Sequence, residues 1–212
     1  MKISSLIQYG VIGVIIAGVY FAGSSDSDSK YDEIAANDID LNAVLDVTLK
    51  TLQHVSDDLA AATPEGEEPV PLEGDAADQA FLKLSDSLTV DYNAATPALH
   101  DKPIAVSPQI DASLIAFEDL NQNRQKDAGE DAVFMIEIDG ENARIIATSR
   151  SGAVNDHHFS GTGLLAGYLI GSMLSRQRAS GVDKSRLASK KTVTSQSAAR
   201  ARAGSGSHRA GK

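Results

Sequence analysis

A stretch of twelve residues, 119–130, holds the side chains of this chain that are best suited to metal chemistry. Oxygen-bearing groups recur at alternate positions, so they can converge on one point while the side chains between them point away. The predicted ligands are Asp119, Asn121, Asn123, Gln125 (through its main-chain carbonyl), Asp127 and Glu130. A hard cation such as Ca²⁺ takes about six to eight oxygen ligands, and these residues fall at the loop positions that an EF-hand uses. The spacing therefore predicts a calcium site.

A short string of residues carries a resemblance: Phe117-x-Asp119-x-Asn121-x-Asn123, followed by Asp127-x-Gly129-Glu130. It resembles the EF-hand-like, strand-flanked calcium loops of bacterial surface proteins, such as the B-repeats of the staphylococcal Sdr adhesins, and implies that the six residues above are ligands. Position 6, normally glycine, is Arg124, and a non-glycine in the left-handed conformation costs roughly 1 to 2 kcal/mol. We therefore expect weak affinity. The alternative interpretation is a polar hairpin loop in which Asn and Asp only cap turns.

Segments rich in β-forming residues lie on both sides of this loop. The pattern predicts strands over residues 113–117, 133–138 and 143–148, and the polar residues 139–142 are typical of a hairpin turn. Residues 155–160 show no strand pattern. The expected result is a small antiparallel meander with the loop between its first two strands.

Two helices are predicted before the strands. Apolar residues at three-and-four spacing indicate an amphipathic helix over residues 37–62, with Asp40 as a candidate N-cap. A second helix is predicted over residues 76–88, ahead of several chain-breaking prolines. Residues 64–75 between them are rich in Pro, Gly and Glu and are typical of an exposed loop.

An uncharged apolar run over residues 3–25 precedes these helices. Its most apolar part, residues 6–23, would form about 27 Å of helix, which is nearly the thickness of a bilayer core. We therefore expect a transmembrane anchor over residues 1–25 and a polar linker over 26–36. Lys2 before the run favours an orientation with the body outside. A cleaved signal peptide is the alternative, because Ala22-Gly23-Ser24 places small residues where a signal peptidase cleaves.

Charge divides the chain unevenly. The formal net charge is -10, but residues 161–212 carry ten Lys or Arg against one acid, which gives +9 and leaves -19 for residues 1–160. From residue 177 onward Ser, Ala, Gly, Lys and Arg dominate, and this composition predicts a disordered basic tail over 177–212. Such a tail could bind anionic lipid or another polyanion through phosphates. The chain has no cysteine, which excludes disulfides and a lipoprotein anchor.

A second apolar segment, residues 161–176, lies between the acidic body and the tail. Gly163, Gly167 and Gly171 recur every four residues and would lie along one face of a helix, as in a glycine zipper. Three interpretations stay open: a short second span over 159–175, a membrane-associated or self-associating helix, and a helix buried in the core. The AGYxxG string within Leu165–Gly171 is similar to a segment of the YgiB-type family of bacterial envelope proteins, which implies an envelope location but no mechanism.

Together these patterns predict an α+β protein of the bacterial envelope. We expect it to be anchored in the inner membrane, with an acidic domain over residues 37–160 in the periplasm. The sequence lacks the GxSxG, HExxH and Walker motifs, so we expect a structural or interaction role and not an enzyme. The expected partners are the lipid bilayer, a second copy through the zipper glycines, and anionic lipid or a polyanion at the tail. No small-molecule substrate is indicated. The alternative is a regulatory or sensory subunit of a membrane complex whose basic tail binds anionic lipid or nucleic acid.

Overall fold

The computed structural model describes residues 38–62, 72, 74–159 and 169–204. Its elements follow in the order α1 (Leu41–Ala61), α2 (Gly74–Ala94), β1 (Ile104–Pro108), β2 (Leu114–Glu118), β3 (Ala132–Asp139), β4 (Arg144–Ser149), β5 (Val154–His158), α3 (Leu169–Ala179), α4 (Lys184–Ser189) and α5 (Ser195–Gly204). The five strands form one antiparallel sheet in the order β1-β2-β3-β4-β5. The predicted α+β class and the meander are confirmed.

Helix α1 lies within its predicted bounds, and α2 covers its predicted range and extends beyond both ends of it. The carboxylate of Asp40 accepts hydrogen bonds from the backbone N–H groups of Asn42 at 2.9 Å and Ala43 at 3.3 Å, as an N-cap does. Helix α2 continues to Ala94, six residues beyond the predicted end, because Thr89 and Tyr92 are buried against the sheet. The predicted loop over residues 64–75 falls mostly outside the described residues.

Helices α1 and α2 pack on one face of the sheet and form the main core with it. The helices contribute buried residues such as Leu52 and Leu84, and the sheet contributes Phe134 and Ile136. The ring of Tyr92 meets the ring of Phe134 edge-on, with centroids 5.1 Å apart. A buried hydrogen bond of 2.7 Å joins the Tyr92 hydroxyl to the Thr48 hydroxyl, so the one polar group of this ring pair is satisfied.

The first strand, β1, escaped prediction because Pro103 precedes it and Pro108 is its last residue. Its outer edge is satisfied by side chains of α2. The Asn93 side-chain oxygen accepts from the Ile104 N–H at 3.0 Å, and the Thr89 hydroxyl accepts from the Val106 N–H at 2.9 Å. A neighbouring helix thus supplies the hydrogen bonds that a further strand would otherwise provide.

The last strand, β5, corrects the expectation that residues 155–160 form no strand. It pairs with β4 over five residues, from Arg144↔His158 to Thr148↔Val154. Its polar side chains have tertiary partners, since the Asn155 amide donates to the Asn42 side-chain oxygen at 2.7 Å. Apolar alternation is absent because this edge strand is held by polar contacts.

The expectation of a disordered tail over 177–212 is also corrected for the part that the structure describes. Residues 177–204 complete α3 and form α4 and α5, and Val193 makes an isolated antiparallel bridge with Val154 of β5. The amino-acid composition did not indicate this secondary structure, because the tail packs on the sheet through charged and polar groups and not through apolar ones. Residues 205–212 lie outside the described residues.

The described part of the second apolar segment is a core helix. Leu169, Ile170 and Met173 of α3 are buried in the main core, which is the third of the interpretations given above. Gly171 lies on this helix, whereas Gly163 and Gly167 lie outside the described residues, so the zipper stays a prediction.

The predicted anchor over 1–25 and the linker over 26–36 also lie outside the described residues. Among the helices that the structure describes, none combines the length and the apolar character that crossing a membrane requires.

Candidate calcium loop and charged seat

The predicted metal loop, residues 119–130, connects β2 to β3. Asp119 follows β2 directly, and Glu130 comes two residues before β3 begins. Both residues are buried, since Asp119 is 4% exposed and Glu130 is 7% exposed. The two strands therefore hold the first and last predicted ligands at the base of the loop, while Asn121, Asn123, Gln125 and Asp127 lie in its exposed part.

Hydrogen bonds bring the predicted ligands into one network. The Asp119 carboxylate accepts from the N–H groups of Asn123 and Arg124, each at 3.0 Å. The side-chain amides of Asn121 and Asn123 both donate to the same Asp127 oxygen, each at 2.8 Å. Gln125 takes part through its N–H, which donates to the Asn123 side-chain oxygen at 2.7 Å. Hydrogen bonds within the loop thus link these predicted ligands to one another.

Glu130 closes the loop. One carboxylate oxygen accepts from the Leu120 N–H at 3.0 Å, and the other accepts from the Asp127 N–H at 2.9 Å. The Lys126 ammonium donates to the Glu130 main-chain oxygen at 2.7 Å. Both oxygens of the expected bidentate ligand therefore already hold the two ends of the loop together.

Arg124 adopts the left-handed conformation that its loop position requires, with a φ of 60°. Its guanidinium lies outside the oxygen network and forms an ion pair of 3.0 Å with Asp86 of α2. Gln122 and Gly129 also have positive φ, at 57° and 96°. The backbone path is therefore wound tightly even though glycine is absent from the sixth position.

The donor chemistry of the loop fits calcium better than a transition metal. Its groups are carboxylate, amide and main-chain oxygens, which suit hard cations. Within the described part of the chain, no three His, Asp or Glu side chains are arranged as a ready metal site. Two of the six predicted ligands are asparagines and one is a main-chain carbonyl, so a site of this kind would depend on neutral oxygens as much as on acids. The loop also satisfies the turn-capping interpretation, because every contact described above for the predicted ligands is a hydrogen bond within the loop.

A second cluster of charge lies on the sheet face opposite the main core. Strand alternation places Glu137, Asp139, Arg144 and Asp156 on this outer face, and we call these four residues the seat. Residues 183–193, which we call the strap, dock on it. Glu137 is 3% exposed and pairs with two strap cations, Lys190 and Arg186, the second at 3.0 Å.

Arg144 is the centre of the seat. Its guanidinium pairs with Asp139 and with Asp156, each at 3.0 Å. It also donates to strap carbonyls, to Leu187 at 2.7 Å and to Lys190 at 3.0 Å. A planar guanidinium with several fixed donors can bridge carboxylates and a helix C-terminus at once, which a lysine ammonium could not do with the same geometry.

Three groups of the seat, Asp139, Asp156 and Arg144, have shifted pKa values. Burial by itself would raise the pKa of Asp139, but hydrogen bonds from Asn142 and Arg144 outweigh burial and hold the pKa below its ordinary value. Burial likewise opposes ionisation of Asp156, and hydrogen bonds from Thr192 and Arg144 lower its pKa overall. The pKa of Arg144 is raised, because its two carboxylate partners outweigh burial. The charged forms of Asp139, Asp156 and Arg144 therefore stabilise one another.

A shallow groove lies between α1 and the end of β5. Its volume is about 570 Å³, and Leu49, His54, His157 and Phe159 are among its lining residues. Both histidines are exposed, His54 on α1 and His157 on β5.

The seat escaped the sequence analysis, although a signal for it was present. Glu137 and Asp139 alternate with apolar residues along β3, and Arg144 follows a recognisable turn. Once that turn is assigned, Asp139 and Arg144 are cross-strand partners, which the structure bears out. The partners from the strap could not be inferred, because they lie more than forty residues away in the chain.

Comparison with known proteins adds no relative: no family model, no curated protein and no solved structure matches this chain.

Proposed function

We propose that this chain is a membrane-anchored protein of the bacterial envelope, of structural or interaction type, whose loop 119–130 binds calcium weakly. The observation that supports the calcium part is the hydrogen-bond network that links Asp119, Asn121, Asn123, Asp127 and Glu130 between two strands. Calcium would compete with the N–H donors that now occupy these oxygens. Bound calcium would cross-link the loop and stiffen the β2–β3 connection.

Calorimetric titration of the purified protein with calcium tests this site. We expect a Kd of about 10⁻⁴ to 10⁻³ M, since the sixth position lacks glycine and Lys126 binds the loop's own carbonyl. Asp127→Asn, which removes an exposed carboxylate, should weaken binding without unfolding the loop. Glu141→Gln, which alters an exposed acid on the β3–β4 turn, is the matched control and should leave the affinity unchanged.

The turn-capping interpretation predicts a different result. If neither calcium heat nor calcium-dependent thermal stabilisation appears at millimolar concentrations, the loop is a polar connection and the calcium proposal fails. Equal stabilisation by calcium and magnesium would indicate general screening of acidic charge, because a specific site distinguishes the two ions by size and ligand number.

Membrane attachment rests on the apolar run over residues 3–25. Fractionation of cells after lysis without detergent tests it, and we expect the full-length chain in the membrane fraction. Recovery of unprocessed chain in the soluble fraction would refute the anchor. Recovery of a chain that begins near residue 25 would establish the signal-peptide alternative.

A regulatory or sensory subunit is the second candidate, and one observation favours it. The tail cations Arg186 and Lys190 are held by Glu137, so the basic segment has a defined position on the domain. A single cysteine at Ser205 would be the only thiol in the chain. Its labelling from one side of the membrane locates the tail: a periplasmic tail favours the envelope role, and a cytoplasmic tail favours the regulatory one.

A further inference from the structure

The strap is held to the seat mainly by charge. Arg186 and Lys190 pair with Glu137, and the Thr192 hydroxyl donates to Asp156 at 2.7 Å. The hydrogen bonds from Arg144 to the carbonyls of Leu187 and Lys190 add to these contacts. The bridge between Val193 and Val154 closes the strap with two backbone hydrogen bonds of 2.8 Å.

The apolar contribution to this contact is small. Within the strap as the structure describes it, Leu187 is the only buried hydrophobic side chain, at 3% exposed, and it lies outside the main core cluster. Helix α3 differs, since it places three buried apolar residues in that cluster. Burial of apolar area therefore anchors α3 firmly, whereas the strap depends on ion pairs and hydrogen bonds.

Opening the strap would expose mostly groups that water can solvate. It would also uncover two buried apolar side chains, Leu187 and Ile146 of β4, the second of which lies between Glu137 and Asp156 on the outer face. Glu137 and the strap cations would exchange their ion pairs for hydration, while Asp139, Arg144 and Asp156 would keep the pairs among themselves. The main core lies on the other face of the sheet and would stay covered. The strap can therefore open as a local unit without unfolding the domain.

We propose that the strap is a charge-held switch: its basic side chains bind either the carboxylates of the seat or an anionic lipid surface, but not both. The strap carries Lys184, Arg186, Lys190 and Lys191 against one acid, Asp183. An anionic bilayer attracts such a segment electrostatically, within about a Debye length of the lipid headgroups. In the closed form Arg186 and Lys190 pair with Glu137, and the three carboxylates and one guanidinium of the seat together balance these two cations, so the seat suppresses binding of the strap to the membrane.

Lipid phosphate is favoured over nucleic acid by two features. The strap contains no aromatic residue on which bases could stack. The proposed anchor over residues 3–25 would also keep the domain close to a bilayer, which raises the effective concentration of lipid headgroups. This inference therefore rests on the membrane attachment proposed above.

Thiol labelling of a buried strap position measures the switch. The chain has no native cysteine, so Leu187→Cys provides a single reporter that reacts with maleimide only when the strap opens. The full-length chain is reconstituted in vesicles of phosphatidylcholine alone, or with part of it replaced by phosphatidylglycerol. We expect Glu137→Gln to accelerate labelling roughly tenfold in neutral vesicles. Glu141→Gln, whose pair with Lys184 is exposed on both sides, is the matched control and should leave the rate unchanged.

Anionic lipid should accelerate labelling of the otherwise unchanged protein, and Glu137→Gln should make the rate nearly independent of lipid charge. Equal rates in neutral and anionic vesicles would overturn the proposal. Acceleration by added duplex DNA, with none by anionic lipid, would overturn it in favour of nucleic acid. If Leu187→Cys itself disturbs the strap, hydrogen exchange at the Val193 amide in the native chain gives the same comparison.

A flotation assay distinguishes failure of the proposed anchor from failure of the switch. Flotation of the vesicles reports attachment of the chain, whatever the state of the strap. A chain that does not float refutes membrane attachment, whereas a chain that floats but shows no effect of lipid charge or of Glu137→Gln refutes the switch alone.

Discussion

The two faces of the sheet are held by different forces. On one face α1 and α2 bury leucines, aromatic rings and β-branched residues against Phe134 and its neighbours. On the other face the strap contacts the seat through ion pairs around Glu137 and Arg144. The first contact depends on apolar area removed from water, and the second depends on charges that salt and pH can alter.

This difference means that the two faces should respond to different perturbations. A large apolar residue removed from the main core should lower the stability of the whole domain, because everything else packs on that core. A charge removed from the seat should act first on the strap. The same sheet can thus combine a stable support with a segment that moves.

The largest effect is expected from Phe134→Ala. The side chain is 1% exposed and meets Tyr92 edge-on, so its loss leaves a cavity in the centre of the core. We expect the free energy of unfolding to fall by about 3 to 5 kcal/mol. Urea unfolding followed by circular dichroism measures this loss. A drop no larger than that of an exposed substitution such as Leu82→Ala would contradict the assigned core.

Arg144→Ala should have the next largest effect. Its removal leaves Asp139 buried with Asn142 as a remaining donor, and it breaks the hydrogen bonds to the strap carbonyls. We expect a loss of about 3 kcal/mol, with strap amides losing protection from hydrogen exchange before the sheet does. Arg150→Ala, which removes an exposed arginine paired with Asp131, serves as the comparison and should have little effect. Equal losses from the two variants would mean that Arg144 is not the centre of the seat.

Loss of the helix cap at Asp40 should have a smaller effect. Asp40→Ala removes an acceptor for two backbone N–H groups at the start of α1, and about 1 kcal/mol of stability should be lost. Asp40→Asn keeps a side-chain oxygen that can accept these hydrogen bonds, so it should retain most of the stability that Asp40→Ala loses. Thermal unfolding of the two variants side by side makes the measurement. If they behave alike, the cap contributes nothing measurable.

Acid below about pH 4 should loosen the strap before the sheet, because Asp156 accepts a hydrogen bond from Thr192 of the strap. The pKa values of Asp139 and Asp156 are lowered in the folded state, so their contribution is complete above their ordinary pKa of 3.8. It is lost as pH falls below that value, through the folded pKa of each group. Hydrogen exchange should therefore show the Val193 amide losing protection below about pH 4, while amides of central strand β3 stay protected. Simultaneous loss at both places would mean that the two faces unfold together.

Patterns among neighbouring residues were enough to predict the helices and strands in which apolar side chains recur at a regular spacing. The three-and-four spacing of α1, its Asp40 cap and the turn between β3 and β4 were all readable, and the structure bears them out. Strands β1 and β5 could not be predicted in this way, because they form hydrogen bonds with Asn93, Thr89 and Asn42 of helices that are distant in the chain. A pattern confined to neighbouring residues carries no information about such partners.

The candidate loop illustrates the same limit. The alternate oxygens from Asp119 to Glu130 were visible in the sequence, and in the structure hydrogen bonds within the loop link the residues that carry them. The neutralisation of Arg124 by Asp86 was not visible, because that contact joins residues 38 positions apart. The loop's chemistry is local, but the charge that surrounds it depends on the packing of α2.

The sequence by itself determined the charge asymmetry, the apolar run over residues 3–25, the spacing of the loop oxygens and the periodicity of the first helix. These are properties of residue type and order, and they hold before any distant contact forms. Only the tertiary structure decided that the basic segment over 183–193 is ordered. Its order depends on Glu137 and Arg144, which are buried and oriented only after the sheet has formed.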